Sequence, residues 1–305
     1  MNTPADIDRL ADLNADLADA FGPGRVRAQG WLQISGRALV ADAVSDGQPV
    51  VVKQFLGPTR SETIQRLQTE HDAIGPHMAA GPYRLAVWRN LSPHHGLAVL
   101  HKAPGQRMDS VLARTKAAER RVILGLVGGW LAAFAAPRRH LAPINLHALI
   151  RARKQAMALA LTPADGDLAG ASLSRLRGLA RDLTGMDLVQ SGIHADLTPD
   201  NLTLAATRSG VEVWAFDLQD TRMRPVALDA AHFLVIAGLR LPPLPAPLTG
   251  GLPQADRAAL VAACPDADGP VLEFFIGDRL LRALHEASTA DRAAAARSAL
   301  QAWLA

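Results

Sequence analysis

Apolar residues recur at Ile7, Leu10, Leu13, Leu17 and Phe21, the spacing of one helix face, so the pattern predicts an amphipathic helix over 4–21. From Val26 to Phe55 the period shortens. Short β-prone runs separated by SGR at 35–37 and SDGQP at 45–49 predict three antiparallel strands over 25–34, 38–44 and 49–55. A second helix runs from an N-cap at Thr59 or Ser61 to just before Gly75, with Ile64, Leu67 and Ile74 as its apolar stripe. GPYRLAVWRN and HHGLAVLHKAP predict two more strands, which complete a small sheet-plus-helix lobe near residue 102.

Beyond APGQRMDS the pattern turns helical, with runs at about 108–136, 146–161 and 172–185. NLTLAATRSGVEVWAFD interrupts them with two alternating strands around Ser209-Gly210, which predicts a hairpin. More helices close the chain around a Pro/Gly-rich loop, LPPLPAPLTGGLP, and no internal repeat is visible. Strands followed by helices predict an α+β chain in two lobes: an antiparallel-sheet N-lobe over 1–102 and a larger, mostly helical C-lobe over 103–305.

Composition agrees with that size. Of 305 residues 49% are apolar and 20% charged, enough to bury two cores. The net charge is only +3, and no basic run or basic–aromatic stripe marks a nucleic-acid surface. A single cysteine, Cys264, precludes an internal disulfide and points to a reducing compartment. The N-terminal MNTPADIDRLADL is acidic and broken by charges, unlike a signal or transit peptide. The longest uncharged run, Val122 to Pro137, is too short and interrupted for a bilayer span and reads as a buried helix. The expectation is a soluble, cytoplasmic protein without membrane insertion.

Polar chemistry concentrates in GIHADLTPDNLTL, which starts at Gly192 and holds His194, Asp196, Asp200 and Asn201. Asp217 follows sixteen residues after Asn201, at the far end of the expected hairpin, so the turn would bring the two together. An amide oxygen beside a carboxylate makes an oxygen-only site of the kind that binds Mg²⁺ bridging phosphates. Asp196, upstream on the same loop, is placed to orient a hydroxyl and accept its proton. Each residue alone has a plainer reading, as a turn or N-cap residue, a strand start or a loop-packing histidine.

The spacing His194-x-Asp196-x-x-x-x-Asn201 followed by a strand-borne Asp217 resembles the catalytic loop and metal-binding aspartate of the protein-kinase-like fold. HADLTPDN and FDLQD resemble, more narrowly, the aminoglycoside phosphotransferase/choline kinase family, which writes the loop His-Gly-Asp-Leu-His-Pro-Gly-Asn. Ala195, Thr198 and Asp200 depart from that pattern without removing a reacting group. The resemblance demands a strand lysine and a helix glutamate in the first lobe. Lys53, one of only four lysines, stands between Val51 and Phe55 on one strand face, and Glu70 lies at the margin of the second helix's stripe. Their ion pair would hold Lys53 against the α- and β-phosphates. GLAVLHKAPGQRMDSVL resembles the segment joining the lobes, which implies that backbone at Val99 to His101 meets the adenine edge. Gly36 marks the phosphate-covering loop, and Asp229 in TRMRPVALDAAHFLV would tie down the catalytic loop.

The resemblance implies a two-lobed kinase-like fold with ATP and Mg²⁺ as cofactors and transfer of the γ-phosphoryl group to a hydroxyl of a small molecule. Asp196 would be the base, Asn201 and Asp217 the metal ligands, and His194 a loop-holding residue. The gap from Asp217 to Asp229 is too short for an activation segment, no Ala-Pro-Glu follows, and Ala195 stands where many protein kinases carry arginine, so a protein acceptor fits less well. The acceptor stays open. Asp256, Asp266, Asp268, Glu273, Asp278, Glu286 and Asp291 are scattered among arginines, and Trp214, Phe233, Phe274, Phe275 and Trp303 are the candidates for an aromatic cage. Amino alcohols, sugars (lipopolysaccharide-core sugars included) and aminoglycosides all remain, and the alternative in a different class is a nucleotide-binding pseudokinase or regulatory module.

Overall fold

The computed structural model describes residues 4–157, 163–218, 222–240 and 248–305. Part of the helix expected at 146–161, the end of FDLQD with Thr221, and most of the Pro/Gly-rich loop lie outside those residues. Two compact units divide the chain: Met1–Ala80, Arg84–Pro104 and Trp214–Phe216 in the first, Gly81–Tyr83, Gly105–Val213 and Asp217–Ala305 in the second.

In the first unit α1 spans Pro4–Phe21, as the period predicts. Leu13 and Leu17 are fully buried, but Ile7 is 58% exposed, so the stripe grips the sheet only from Leu10 onward. Three hairpin-connected strands follow, β1 (Val26–Ile34), β2 (Ala38–Ser45) and β3 (Gln48–Phe55). Asp46 and Gly47, with φ of 48° and 77°, join β2 to β3 in a two-residue turn whose twist suits the strands it joins. After α2 (Arg60–Ile74), GPYRLAVWRN yields two short strands, β4 (Tyr83–Leu85) and β5 (Trp88–Ser92), and only β5 joins β6 (Leu97–His101) in the main sheet. Its order is β1-β2-β3-β6-β5, antiparallel throughout. One face of β3 sends Val50 and Val52 into the core beneath α1, together with Leu97 and Val99. Asn14 fastens the helix to the edge strand by accepting from Ala28 N at 2.8 Å and donating to Ala28 O at 3.2 Å. Alternation turns Val51, Lys53 and Phe55 to the opposite face.

The second unit opens with β7 (Gln106–Arg107) and α3 (Met108–Leu112); the run read as one helix over 108–136 breaks after Leu112 and resumes as α4 (Ala117–Ala135). Among the described residues one stretch, Ala117–Arg138, is long and apolar enough to cross a membrane by length and composition. Its Leu124, Val127, Trp130, Leu131 and Phe134 are buried, with Trp130 stacked on Phe134, so it is the unit's core helix. Next come β8 (His140–Pro143), α5 (His147–Met157) and α6 (Pro163–Leu183). α6 starts nine residues before the expected 172, because Gly166 and Gly170 read as breaks. Each costs about 1 kcal/mol relative to alanine in a helix. Burial of Ala169, Leu173 and Leu176, and an Asp165–Arg297 ion pair at 2.6 Å, offset that cost.

The strands β9 (Asp187–Gly192), β10 (Leu202–Thr207), β11 (Gly210–Ala215) and β12 (Met223–Pro225) follow, and β9 is the centre of the antiparallel sheet β12-β9-β8. The helices α7 (Ala227–Arg240), α8 (Gln254–Ala263), α9 (Pro270–His285) and α10 (Ala290–Leu304) complete the unit. α9 starts with Gly269 as N-cap and Pro270 at the first helical position, where a missing N–H costs nothing. It buries Leu272, Phe274, Ile276, Leu280 and Leu281, each worth about 1.5–3 kcal/mol relative to exposure. α4 is tied to α8 by a buried Arg120–Asp256 pair at 2.7 Å, and a Cβ added at Gly128 would collide with the Leu260 carbonyl. Gly128→Ala is therefore expected to destabilise by about 1–3 kcal/mol through overpacking, although alanine favours an isolated helix by about 1 kcal/mol. Urea unfolding checks the sign.

Candidate active site

β9 ends at Gly192 and releases the loop His194–Thr198, which tightens into a single 3₁₀ turn, Pro199–Asn201, before β10. Asp229, in the first turn of α7, anchors the loop: its carboxylate accepts from His194 N at 2.6 Å and Ala195 N at 3.0 Å. Burial pushes the Asp229 carboxyl up to about 6 despite those two bonds. The His194 ring is fully buried and meets Trp130 edge-on at 6.1 Å, so it faces the core of α4.

With the loop held this way, Ala195 takes a left-handed φ of 69°. That backbone costs a residue with a Cβ about 1–2 kcal/mol, which gives a physical reason for glycine in the sequences this loop resembles. Glycine would in turn add unfolded-chain entropy worth about 0.4–1 kcal/mol. Ala195→Gly is thus expected to stabilise by a net of roughly 0.5–1 kcal/mol, read as a small rise in Tm.

Asp196 and Asn201 meet directly. The Asn201 side-chain nitrogen donates to Asp196 O at 2.8 Å and to Asp196 Oδ2 at 3.0 Å, so its amide N–H groups are committed and its oxygen is the acceptor left over. Asp217, with a left-handed φ of 61°, is close enough for its charge to act on Asp196. Burial raises the Asp196 carboxyl above its ordinary range and Asp217 adds to the rise; the Asn201 hydrogen bond opposes it most, followed by Arg279 and Arg240. The loop's departure at Asp200 also has a place. Its two oxygens bind Arg107 at 2.9 Å and Arg240 at 3.0 Å, so its charge is matched by two guanidinium groups.

The other expected residues sit in the first unit. Lys53 is half-buried on β3, with its ammonium 5.0 Å from the centroid of the Phe55 ring. Glu70 is half-buried on α2 beside His71, which is buried against Trp88 at 4.4 Å between ring centroids. Gly36 lies in the turn between β1 and β2. Val99 is flanked by β3 on one side, opposite Val52, and by β5 on the other, opposite Asn90, so its backbone belongs to the sheet. His101 N likewise donates to Val87 O at 3.1 Å. The first backbone beyond the sheet is Lys102–Pro104.

The scattered carboxylates of the C-terminal region do not form an acidic pocket. Asp256 pairs with Arg120, Asp266 with Arg139, Glu273 with Arg175 and Arg257, Asp278 with Arg153, and Glu286 with Arg282. Nor do the aromatics form a cage, since Phe233, Phe274 and Trp303 are fully buried core residues. Arg107, Arg240 and Arg279, all near the loop, had no sequence signal beyond an arginine surplus without a period.

By sequence, no family model and no curated protein matches the chain. Its structure is similar to that of a GDP and kanamycin complex of APH(2")-IIIa, with a TM-score of 0.66 and 13% identity over 95% of this chain and 97% of that one. It also matches aminoglycoside phosphotransferase APH(4)-Ia, with a TM-score of 0.64 and 14% identity over 99% and 98%. The chain has the fold of the aminoglycoside phosphotransferases. A thermostable mutant of APH(4)-Ia, bound to ADP and hygromycin B, superposes on this aminoglycoside-phosphotransferase fold with a TM-score of 0.65 and 14% identity over 96% and 98%. Each of these matches spans at least 95% of the chain, so both units are covered.

Proposed function

We propose that the chain transfers the γ-phosphoryl group of ATP to a hydroxyl of a small molecule. The observation that carries this reading is the meeting of Asp196 and Asn201 on a loop fixed by Asp229, with Asp217, just past the hairpin, close enough for its charge to act on Asp196. Asp196 orients the acceptor hydroxyl and takes its proton; its raised proton affinity suits that task, because a base works best with a pKa nearer the working pH. The Asn201 oxygen and the Asp217 carboxylate are hard donors, and among the described residues no group of three or more His, Cys, Asp or Glu converges. Two protein ligands suit Mg²⁺, which takes its other oxygens from phosphates and water, and bound there it would neutralise charge on the β- and γ-phosphates. Lys53 steadies the phosphates, Glu70 orients Lys53, Gly36 lies in the turn that covers them, and backbone at Lys102–Pro104 takes the adenine edge.

The solved neighbours bound to GDP and kanamycin, and to ADP and hygromycin B, support a nucleotide and a hydroxyl-bearing small molecule as substrates here. A cytoplasmic location is in keeping with Cys264, a buried thiol pushed up to about 12 by desolvation and so unreactive. The test is ADP release from Mg-ATP over a panel of amino alcohols, sugars, sugar acids, sugar phosphates and aminoglycosides. Acceptor-dependent release that Asp196→Asn abolishes is expected. Nucleotide binding without release for any acceptor would favour a regulatory module.

A further inference from the structure

A cavity of about 560 Å³ opens within the second unit between the start of α5, the β9–β12 edge and the outer side of α9. That is within the usual range for a small-molecule site. Its charged lining is one-sided: Arg153, Arg224, Arg279 and Arg282 against a single carboxylate, Asp278. Asp278 is already spent. Its two oxygens bind Arg153 in a fork at 2.8 and 2.9 Å, and both side chains are largely buried. Arg282 pairs with Glu286 one helical turn away, outside the cavity.

Among the described residues, that leaves two guanidinium groups with no carboxylate within ion-pair distance, Arg224 and Arg279. Arg224 is exposed and, among the described residues, hydrogen-bonds only the neighbouring Met223 carbonyl. Arg279 is half-buried, and its Nε is fully buried without a hydrogen-bond partner. A desolvated, unpaired donor on a cation is costly, and an oxyanion is the ligand that satisfies a guanidinium fork. The cavity also borders β9, the strand that leads into the loop. Gln190, on its wall, is two residues from the end of β9, and the Arg279 charge acts on both Asp196 and Asp229.

We propose that this cavity is the acceptor subsite for an anionic group, so that the hydroxyl presented to Asp196 belongs to a polyol carrying a phosphate monoester or a carboxylate, not to a polycation. The inference rests on the phosphotransferase reading for the hydroxyl, and on the cavity alone for the anion. In the reaction the acceptor oxygen forms a bond to the γ-phosphorus as the bond to the β,γ-bridging oxygen breaks. That electron pair leaves with ADP, and the hydroxyl proton passes to Asp196. Arg224 and Arg279 hold the anionic group at the other end of the acceptor.

The experiment compares a hexose 1-phosphate, gluconate and kanamycin as ligands, by calorimetry, and as acceptors, by ADP release, with Mg-ATP binding measured in parallel. Wild type is expected to bind at least one of the two anions and to lose affinity at least tenfold in Arg224→Gln and in Arg279→Gln. Arg279→Lys should restore part of it. For the anionic acceptor the Arg224→Gln change should appear as a higher KM with kcat nearly kept, and the KM for ATP should not move. Preference for the phosphate or for the carboxylate identifies the anion. Phosphorylation of kanamycin without anion binding, or anion binding indifferent to both arginine variants, overturns the inference and leaves the phosphotransferase reading standing. Anion binding that depends on both arginines, without phosphoryl transfer to any acceptor, keeps the anion site and removes the reading.

Discussion

Asp217→Ala is expected to lower acceptor-dependent ADP release by at least about 10³-fold and to weaken Mg-ATP binding, because phosphoryl transfer depends mainly on positioned charge. Asp196→Asn should lose about 10²–10⁴-fold in kcat through the missing base, with Mg-ATP binding nearly kept. The contrast between the two separates the roles. Asp217 holds a left-handed φ of 61°, a backbone that asparagine tolerates better than alanine, so Asp217→Asn guards against a loss that is only a folding defect. Wild-type turnover in either carboxamide variant would sink the assignment of both residues.

Asp229→Ala is expected to destabilise the chain by about 2–5 kcal/mol, since two loop N–H groups lose their acceptor and each orphaned group costs about 1–3 kcal/mol. Asp229→Asn can accept only through one oxygen and should fall between. The same residue sets a pH dependence. Its folded pKa of about 6 lies above the ordinary carboxylate value of 3.8, so between those values the native state holds a proton that the unfolded chain lacks. Stability from this group therefore falls as pH rises through that window, by up to about 3 kcal/mol. Urea midpoints from pH 4 to 7 should show that downward slope in wild type relative to Asp229→Asn. A flat difference would mean that Asp229 is not the buried proton holder.

Local periodicity carried most of the architecture. α1 and the first three strands were legible because burial there alternates with a clean period and the turns carry Gly, Asp and Ser. The start of α6 is not legible in the sequence because its glycines look like breaks, and their cost is offset by partners from helices far along the chain, such as Arg297. The break between α3 and α4 had no glycine or proline to announce it.

For the site, order and spacing, read together with the family resemblance, pointed to Asp196, Asn201 and Asp217, and a short loop followed by a hairpin can bring its ends together in few ways. The sequence by itself also determined the α+β frame and the absence of an internal disulfide. Only the tertiary structure decided which charges are spent. Asp200 is neutralised by Arg107 and Arg240, ninety-three positions before it and forty after, while the C-terminal acids are taken up by arginines. It also decided that Arg224 and Arg279 stand beside a cavity without an ion-pair partner among the described residues. Spacing along a chain reports neighbours on one helix or strand; charge balance in a pocket depends on residues that meet only when the elements pack.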